Sequence, residues 1–225
     1  MIDLFHGSGR IVTVPEFGVG NPRNDYGLGF YCTREKELAK EWACSGINDG
    51  FANQYVLEDE GLSLLRLNEG GYHILNWLAI LLENRLFDLA NPIAARAKEY
   101  ILGNYLPDYK KYDVLAGYRA DDSYFSFAKA FLMNGLTLDQ LSRAMRLGRL
   151  GEQVVIRSRK AFSRLRYMGV EPVPAAIYHL KRVARDQTAR DDYRAMLLEE
   201  PTGQQVYAST ILAEKWKNDD PRLQK

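Results

Sequence analysis

The amino-acid sequence predicts a mixed α+β fold. Short apolar runs that are typical of strands alternate along the chain with longer segments that have the apolar spacing of helices. Strands and helices interspersed in this way favour an α+β domain. The length of 225 residues fits one large domain, or one domain that contains an insertion. We therefore expect a single domain over residues 1–225, with a mainly helical insertion at residues 68–148.

Seven segments are predicted as strands. The first is a short apolar run that we expect to end at a turn formed by residues 6–8. The sixth contains three consecutive apolar residues, Val154, Val155 and Ile156. In chain order the predicted strands are residues 2–5, 29–33, 51–57, 62–67, 112–118, 151–158 and 175–183.

The predicted helices are defined by apolar spacing and by the residues that begin them. Thr33 is expected to cap the first helix, whose inward face includes Trp42 and Ile47. Thr137 is expected to cap a later helix, because Gln140 follows three positions on and completes a capping box. The other predicted helices are residues 72–86, 92–105 and 121–134, and the charged tail from about residue 184.

Composition and charge exclude several classes of protein. The net charge of +1 provides no bulk attraction to nucleic acid or to membranes. No apolar stretch approaches the ~20 residues that span a bilayer, and the first residues lack the pattern of a secretory signal. The two cysteines, Cys32 and Cys44, indicate a reducing compartment. We expect a cytoplasmic protein with no membrane partner and, since no ligand spacing is visible, no metal site.

The first functional motif is His6-Gly7-Ser8, at the end of the first predicted strand. A histidine in this position can donate a hydrogen bond to a ribose hydroxyl while a neighbour fixes its other nitrogen. Glycine lets the backbone approach a ligand, so that its N–H and C=O groups can pair with a carboxamide. In isolation the tripeptide is more typical of an ordinary turn.

The second motif is the Tyr-Gly-Leu-Gly-Phe-Tyr segment at residues 26–31, followed eleven residues later by Trp42. It resembles the Phe-Gly-Lys-Gly-Ile-Tyr signature of poly(ADP-ribose) polymerases. Together with His6, it indicates a fold similar to ADP-ribosyltransferases of the diphtheria-toxin and polymerase type, with a split β-sheet core. The resemblance implies that Tyr31 and Trp42 stack on the nicotinamide of NAD and that Gly7 pairs with its carboxamide. The alternative is that both aromatics belong to the core.

The chain departs from the polymerases at one position. These enzymes place a serine that binds the nicotinamide amide shortly before the second aromatic, and counting from Tyr31 the corresponding residue of this chain is Ala39. The resemblance therefore implies that the Gly7 backbone holds the amide alone or with help from Ser8.

The catalytic position of these transferases is a glutamate at the start of a late strand, where it binds the ribose and stabilises an oxocarbenium-like transition state. An ungapped match to the polymerases places Glu152 in the site, whereas the toxin pattern places Gln153 there. Side chains alternate along a strand, so only one of the two points inward. A third interpretation is that Glu152 and Gln153 are both solvated residues at the start of the strand.

A second resemblance bears on this choice. The segments at residues 4–8, 25–33 and 39–43 look like a bacterial family of unknown function, DUF3990, and residues 158–162 fit it too. That family usually has a glutamine before the late apolar strand, which favours Gln153 over Glu152. A neutral glutamine binds a ribose hydroxyl without providing charge, which suggests weaker turnover, another acceptor or a binding role.

Arginines near the motifs are candidates for the phosphates of NAD. Arg10 and Arg23 lie between the first two motif strands, and a guanidinium matches the geometry of a pyrophosphate. Arg119 is a further candidate, because it lies between a predicted strand and a predicted helix. Solvated loop arginines are the alternative. Next to Arg119, Asp121 or Asp122 caps the helix, or Asp122 supplies the carboxylate that Gln153 lacks.

The sequence thus predicts an NAD-dependent ADP-ribosyltransferase. It would cleave the nicotinamide–ribose bond and transfer ADP-ribose to a protein or nucleic-acid acceptor, with His6, Tyr31 and one of Glu152 and Gln153 as its catalytic residues. The alternative is a non-catalytic module that binds NAD or ADP-ribose. A role as a bacterial toxin or defence component, neutralised by an antitoxin-like partner, is compatible with the first hypothesis.

Overall fold

Seven strands form the central sheet of the protein. The computed structural model describes residues 1–89, 91–120, 122–147, 151–199 and 205–223. The strands are β1 (Ile2–Ser8), β2 (Phe30–Thr33), β3 (Gly50–Leu57), β4 (Leu64–Arg66), β5 (Val114–Tyr118), β6 (Glu152–Ile156) and β7 (Leu165–Val173). Their order in the sheet is β4-β5-β6-β2-β1-β3-β7. β4 and β5 are parallel, and the other neighbouring pairs are antiparallel.

Eight helices accompany the sheet in the part of the chain that the structure describes. They are α1 (Lys36–Ala43), α2 (Ile74–Asn84), α3 (Pro92–Tyr105), α4 (Asp122–Leu132), α5 (Leu138–Ala144), α6 (Arg159–Phe162), α7 (Ala175–Leu198) and α8 (Ala208–Ala213). None of these described helices combines the length and the apolar character that crossing a bilayer requires. The predicted α+β class is confirmed.

The inner strand β6 buries both of its faces. Along β6, Val155 packs into a large core that also contains Trp77 and Phe131 from the helices, whereas its neighbours Val154 and Ile156 pack into a second core on the opposite face. This division follows from the alternation of side chains along a strand. The segment predicted as an insertion supplies α2 to α5 to the large core, and it also supplies β5, which lies between β4 and β6.

Several predicted elements are confirmed. The helix predicted at residues 92–105 matches α3, and the strands predicted at residues 29–33 and 51–57 match β2 and β3 to within one residue. The capping box of α5 is formed as expected. The Thr137 hydroxyl accepts from the backbone N–H of Gln140 at 3.1 Å, and the Gln140 side chain accepts from the backbone N–H of Thr137 at 2.9 Å.

The prediction of a strand at residues 175–183 is wrong. Pro174 precedes a helix, α7, which begins at Ala175 and continues to Leu198. The apolar residues of the predicted strand include Ile177 and Leu180, which are exposed on this helix. The strand at that edge of the sheet is β7, which the sequence did not predict because Gly169 and Glu171 on its less exposed face, and Met168 and Val170 on its exposed face, break the apolar alternation.

Two further predictions near the N-terminus need correction. Residues 6–8 do not form a turn but continue β1, because β3 offers pairing partners along the whole strand. Thr33 does not cap α1, because it belongs to β2 and Glu35 occupies the N-cap position. Ile47 lies beyond the end of α1 and is 94% exposed, so it is not on the inward face of that helix.

Candidate functional site

The strands β1 and β2 separate beyond a single residue pair. β1 pairs with β3 along its whole length, but its described pairing with β2 is limited to Phe5 opposite Thr33. Past that pair, the His6 ring connects the two strands, since its Nδ1 atom lies 2.7 Å from the carbonyl oxygen of Tyr31. The seven-stranded sheet is thus joined through the Phe5–Thr33 pair, and past that pair there is a split between β1 and β2.

A cleft of about 300 Å³ lies at the split. Its walls come from β1, β2 and β6, from α1 and α7, and from the loops that precede β2 and follow α2 and β5. The structure brings into this one cleft six residues that the sequence singles out: His6, Gly7, Tyr31, Trp42, Arg119 and Gln153.

Four other predicted residues are not among the described lining of the cleft. Ser8 holds the following loop, since its hydroxyl donates to the Arg10 carbonyl at 2.6 Å and accepts from Asn53 at 3.1 Å. Arg10 and Arg23 have exposed side chains. Glu152 is the fourth. Of the two acidic residues beside Arg119, Asp121 and the side chain of Asp122 lie outside the part of the chain that the structure describes.

The hydrogen bond to Tyr31 fixes the tautomer of His6. A carbonyl oxygen only accepts, so Nδ1 carries the proton and Nε2 of the neutral ring is an acceptor. Burial lowers the pKa of His6 below its ordinary value, and the charge of Arg10 adds to this effect. His6 is thus neutral at pH 7 and offers an acceptor rather than the donor that the sequence suggested.

Tyr31 contributes a rigid ring rather than a proton. Its hydroxyl donates to the carbonyl of Gly27 and accepts from the backbone N–H of Tyr26 at 3.2 Å. Burial raises the pKa of Tyr31 above its ordinary value, so the phenol stays neutral. Gly27 has φ of +77°, and a Cβ there would fall 2.5 Å from the Asn84 Oδ1 atom, so the turn that anchors Tyr31 requires glycine.

Gln153, not Glu152, lines the cleft. The Gln153 side chain is 7% exposed, and its Oε1 atom has no hydrogen-bond partner among the described residues. The Glu152 side chain points away from the cleft, as strand alternation requires. Its carboxylate lies 3.9 Å from the Arg34 Nε atom and accepts from the Asn68 side-chain amide at 3.4 Å. Burial raises the pKa of Glu152, and the charge of Arg34 opposes this effect.

Trp42 presents its indole at the end of α1. The Arg119 guanidinium lies 4.1 Å from the centre of the ring and covers one face of it. The Trp42 Nε1 atom is buried and, like the Gln153 oxygen, lacks a hydrogen-bond partner in the described structure. A planar ligand that stacks on Trp42 therefore uses the opposite face or displaces Arg119.

Gly7 is required by the packing of α1. A Cβ at this position would fall 1.9 Å from the Ala39 carbonyl oxygen and 2.7 Å from the Ala43 backbone nitrogen. Ala39 is itself fully buried against this strand. The glycine is needed for the close approach of helix and strand, whatever ligand the cleft accepts.

Five lining residues were missed by the sequence analysis. Asp25 is 5% exposed, and its carboxylate accepts from Arg85 at 3.1 Å and from the Ala120 backbone N–H at 2.9 Å. Asn24 lies beside it, and Arg182 reaches the cleft from α7. No local pattern connects Asp25 with Arg85, which is 60 residues away.

The described lining of the cleft is positively charged. It contains one carboxylate, Asp25, and three arginines, so the cleft suits an anionic ligand.

Buried histidines make the stability dependent on pH. Burial lowers the pKa values of both His6 and His73. Between these lowered values and the unfolded value of about 6.5, the unfolded chain binds more protons than the folded one, so acid favours unfolding. We expect the free energy of unfolding, measured in urea, to decrease as the pH falls from 7.5 to 5.5.

The control is the double variant His6→Asn/His73→Asn. Its stability is expected to depend less on pH than that of the wild type over the same interval. Glu152, whose raised pKa contributes with the opposite sign, is common to both proteins and cancels in the comparison. Equal slopes for the two proteins would contradict the prediction.

The sequence profile of one protein family matches residues 2–167, which is more than half of the chain. The family is described as "Protein of unknown function (DUF3990)". No curated protein and no solved structure matches the chain. The chain therefore belongs to the DUF3990 family. The matched residues include His6, Tyr31, Trp42 and Gln153 but end before α7, which carries Arg182.

Proposed function

We propose that this DUF3990 protein is an NAD-dependent ADP-ribosyltransferase with the split-sheet fold of the toxin and polymerase type. The supporting observation is the convergence of His6, Tyr31 and Gln153 in one cleft, at the point where β1 separates from β2. These residues come from three strands that are distant in sequence, and they occupy the positions that the family resemblance assigns to the ribose and nicotinamide contacts.

The chemistry of the cleft fits the nicotinamide riboside half of NAD. Its volume of about 300 Å³ is at the lower end of the range for small-molecule sites. Trp42 Nε1 is a buried donor and Gln153 Oε1 a buried acceptor, and neither has a described partner. Since buried polar groups are nearly always hydrogen-bonded, a ligand with both hydroxyl and amide groups would satisfy them.

In the proposed complex, each side chain has one role. The Nε2 atom of neutral His6 accepts a hydrogen bond from a ribose hydroxyl. The Tyr31 ring, fixed through its hydroxyl, stacks on the nicotinamide together with Trp42. Gln153 Oε1 accepts from the second hydroxyl of the same ribose.

The proposed reaction breaks the bond between the ribose carbon and the nicotinamide nitrogen. The electron pair of that bond stays with nicotinamide, which leaves as a neutral molecule. The sugar acquires oxocarbenium character, and a nucleophile of the acceptor forms the new bond and loses its proton. The fixed dipole of Gln153 stabilises this cation less than a carboxylate would, so we expect slow turnover.

The second candidate is a module that binds NAD or ADP-ribose without cleaving it. The observation that favours it is the register of β6, which places neutral Gln153 in the cleft and directs Glu152 toward Arg34 and Asn68. The carboxylate that does line the cleft, Asp25, is already bound to Arg85 and to the Ala120 N–H group.

Nicotinamide release from NAD tests the proposal and separates the two candidates. Gln153→Ala and Glu152→Ala are a matched pair of variants, because they change neighbouring residues of β6 and, of the two, Gln153 alone is in the described lining of the cleft. We expect the wild type to release nicotinamide, Gln153→Ala to release it about tenfold or more slowly, and Glu152→Ala to stay within about twofold. Assays contain NAD with and without a bacterial protein and RNA extract as acceptor.

A second measurement, protection against thermal unfolding by NAD, decides between the remaining outcomes. Protection without release, with or without the extract, would reject the transferase in favour of the binding module. A loss of release in Glu152→Ala but not in Gln153→Ala would contradict the register on which the assignment depends. Neither release nor protection would reject both candidates.

A further inference from the structure

The helix α7 lies outside the residues that match the family, yet it forms part of the cleft. It is fixed to α1 by a partly buried ion pair between Glu41 and Arg185, in which both carboxylate oxygens accept from the guanidinium at 2.8 Å. Glu41 is 3% exposed and the Arg185 side chain is 29% exposed, so this two-bond contact is partly shielded from solvent. Glu41 directly precedes Trp42, and the pair therefore places α7 beside the cleft.

A second group of contacts fixes the first turns of α7. The Tyr178 hydroxyl and the Lys181 ammonium group lie 3.3 Å and 3.4 Å from the Glu37 carboxylate. Lys40 donates to the same Tyr178 hydroxyl at 3.3 Å. These contacts precede Arg182, and the Arg185 pair follows it, so Arg182 is held between two anchored points of the helix.

Arg182 carries a positive charge that is not paired with a carboxylate in the part of the chain that the structure describes. Its guanidinium donates to the carbonyl oxygen of Cys44, the residue that ends α1, at 3.3 Å. The Arg182 side chain is exposed, so it lies at the mouth of the cleft rather than at its base.

We propose that Arg182 binds a phosphate group of the dinucleotide, so that the helix α7 completes the binding site. A guanidinium presents paired N–H donors that match phosphate oxygens. His6, Tyr31 and Gln153 form the end of the cleft assigned to nicotinamide riboside, and Arg182 lies on the rim, where the pyrophosphate would extend. This inference rests on the proposed function, and it assigns the phosphate contact to a residue of α7 instead of Arg10 and Arg23.

Two probes separate the phosphate contact from the nicotinamide end. ADP-ribose carries the pyrophosphate but no nicotinamide, and nicotinamide alone carries no phosphate. For Arg182→Gln we expect the Kd of ADP-ribose to rise about tenfold or more, and the Kd of nicotinamide to stay unchanged. The control is Arg190→Gln on the same helix, whose guanidinium pairs with Asp186 and which should bind both probes as the wild type does.

The melting temperatures of the unliganded variants show whether each is folded as the wild type is. ADP-ribose binding by Arg182→Gln that equals wild-type binding would overturn the phosphate assignment and leave the proposed function intact. Equal weakening of both probes would also overturn it, because Arg182 would then act by holding Cys44 and α1. A wild-type protein that binds neither probe would reject the proposed function itself, and this inference with it.

Discussion

Replacing Gly7 with alanine is expected to destabilise the protein by more than about 3 kcal/mol, since overpacking costs 1–3 kcal/mol even where side chains can yield. The new Cβ would lie 1.9 Å from the Ala39 carbonyl oxygen, and this atom belongs to the backbone of α1. To relieve the clash, α1 must move away from β1 and lose the burial of Leu38 and Ala39. Urea denaturation of Gly7→Ala against the wild type measures the effect.

Two other glycines provide the controls. A Cβ on Gly9 meets no atom within 4 Å, so Gly9→Ala should be nearly as stable as the wild type. A Cβ on Gly50 would fall 2.2 Å from the Ala43 carbonyl oxygen, so Gly50→Ala should destabilise the protein through the same helix. Wild-type stability of Gly7→Ala would show that α1 does not approach β1 this closely.

This packing role changes what Gly7 variants can reveal. The sequence motif suggested that Gly7 is present so that its backbone can reach a carboxamide. The structure provides a sufficient reason in the contact with Ala39 alone. Loss of nicotinamide release in a Gly7 variant would therefore report on the fold and carry no information about the amide contact.

The residues of the cleft that the sequence predicts belong to local motifs. Tyr31 follows its glycine turn directly, and Trp42 follows Tyr31 at a fixed distance along one strand and one short helix. The position of Tyr31 relative to Trp42 is determined mainly by residues close to them in the sequence. A sequence motif can therefore identify both. The choice between Glu152 and Gln153 depended on strand register instead, and a pattern leaves register open by one residue.

The residues that the sequence did not predict depend on contacts between distant segments. Asp25 and Arg85 form an ion pair because α2 ends beside the loop that precedes β2. No local sequence pattern around either residue indicates that they are in contact. Arg182 was assigned to a strand, but it lies on the helix α7, from which it reaches Cys44 and the cleft. The packing of α7 against α1 is a tertiary contact, and the apolar spacing of the α7 segment alone does not predict it.

The same limit explains the misassigned edge of the sheet. β7 pairs with β3 over most of its length, but its outward face is exposed at Met168 and Val170. An edge strand with one exposed face and an internal Pro172 has little apolar alternation to detect. The apolar residues that follow it, at the start of α7, had the stronger apparent strand signal.

Replacing His6 with asparagine is expected to lower nicotinamide release and NAD affinity by about 10- to 100-fold, the cost of leaving a buried hydrogen-bonding group of the ligand unpaired. Asparagine can still donate to the Tyr31 carbonyl in place of Nδ1, so the contact that connects β1 and β2 is kept. It lacks the Nε2 acceptor that we assign to the ribose hydroxyl. Release assays and thermal protection by NAD, measured at pH 7.5, test this expectation.

The stability of the same variant separates a ligand contact from a structural role. If Nε2 acts on the ribose, His6→Asn should remain folded at pH 7.5 and lose no more than about 3 kcal/mol in urea, since it loses the packing of the histidine ring on Phe30 but keeps the bond to the Tyr31 carbonyl. His6→Ala, which also loses the bond to the Tyr31 carbonyl, should be the less stable of the two and equally inactive. Normal NAD binding by a folded His6→Asn protein would contradict the ribose assignment, because the one hydrogen bond described for the His6 ring uses Nδ1 and leaves Nε2 as the ring atom that can accept from a ligand.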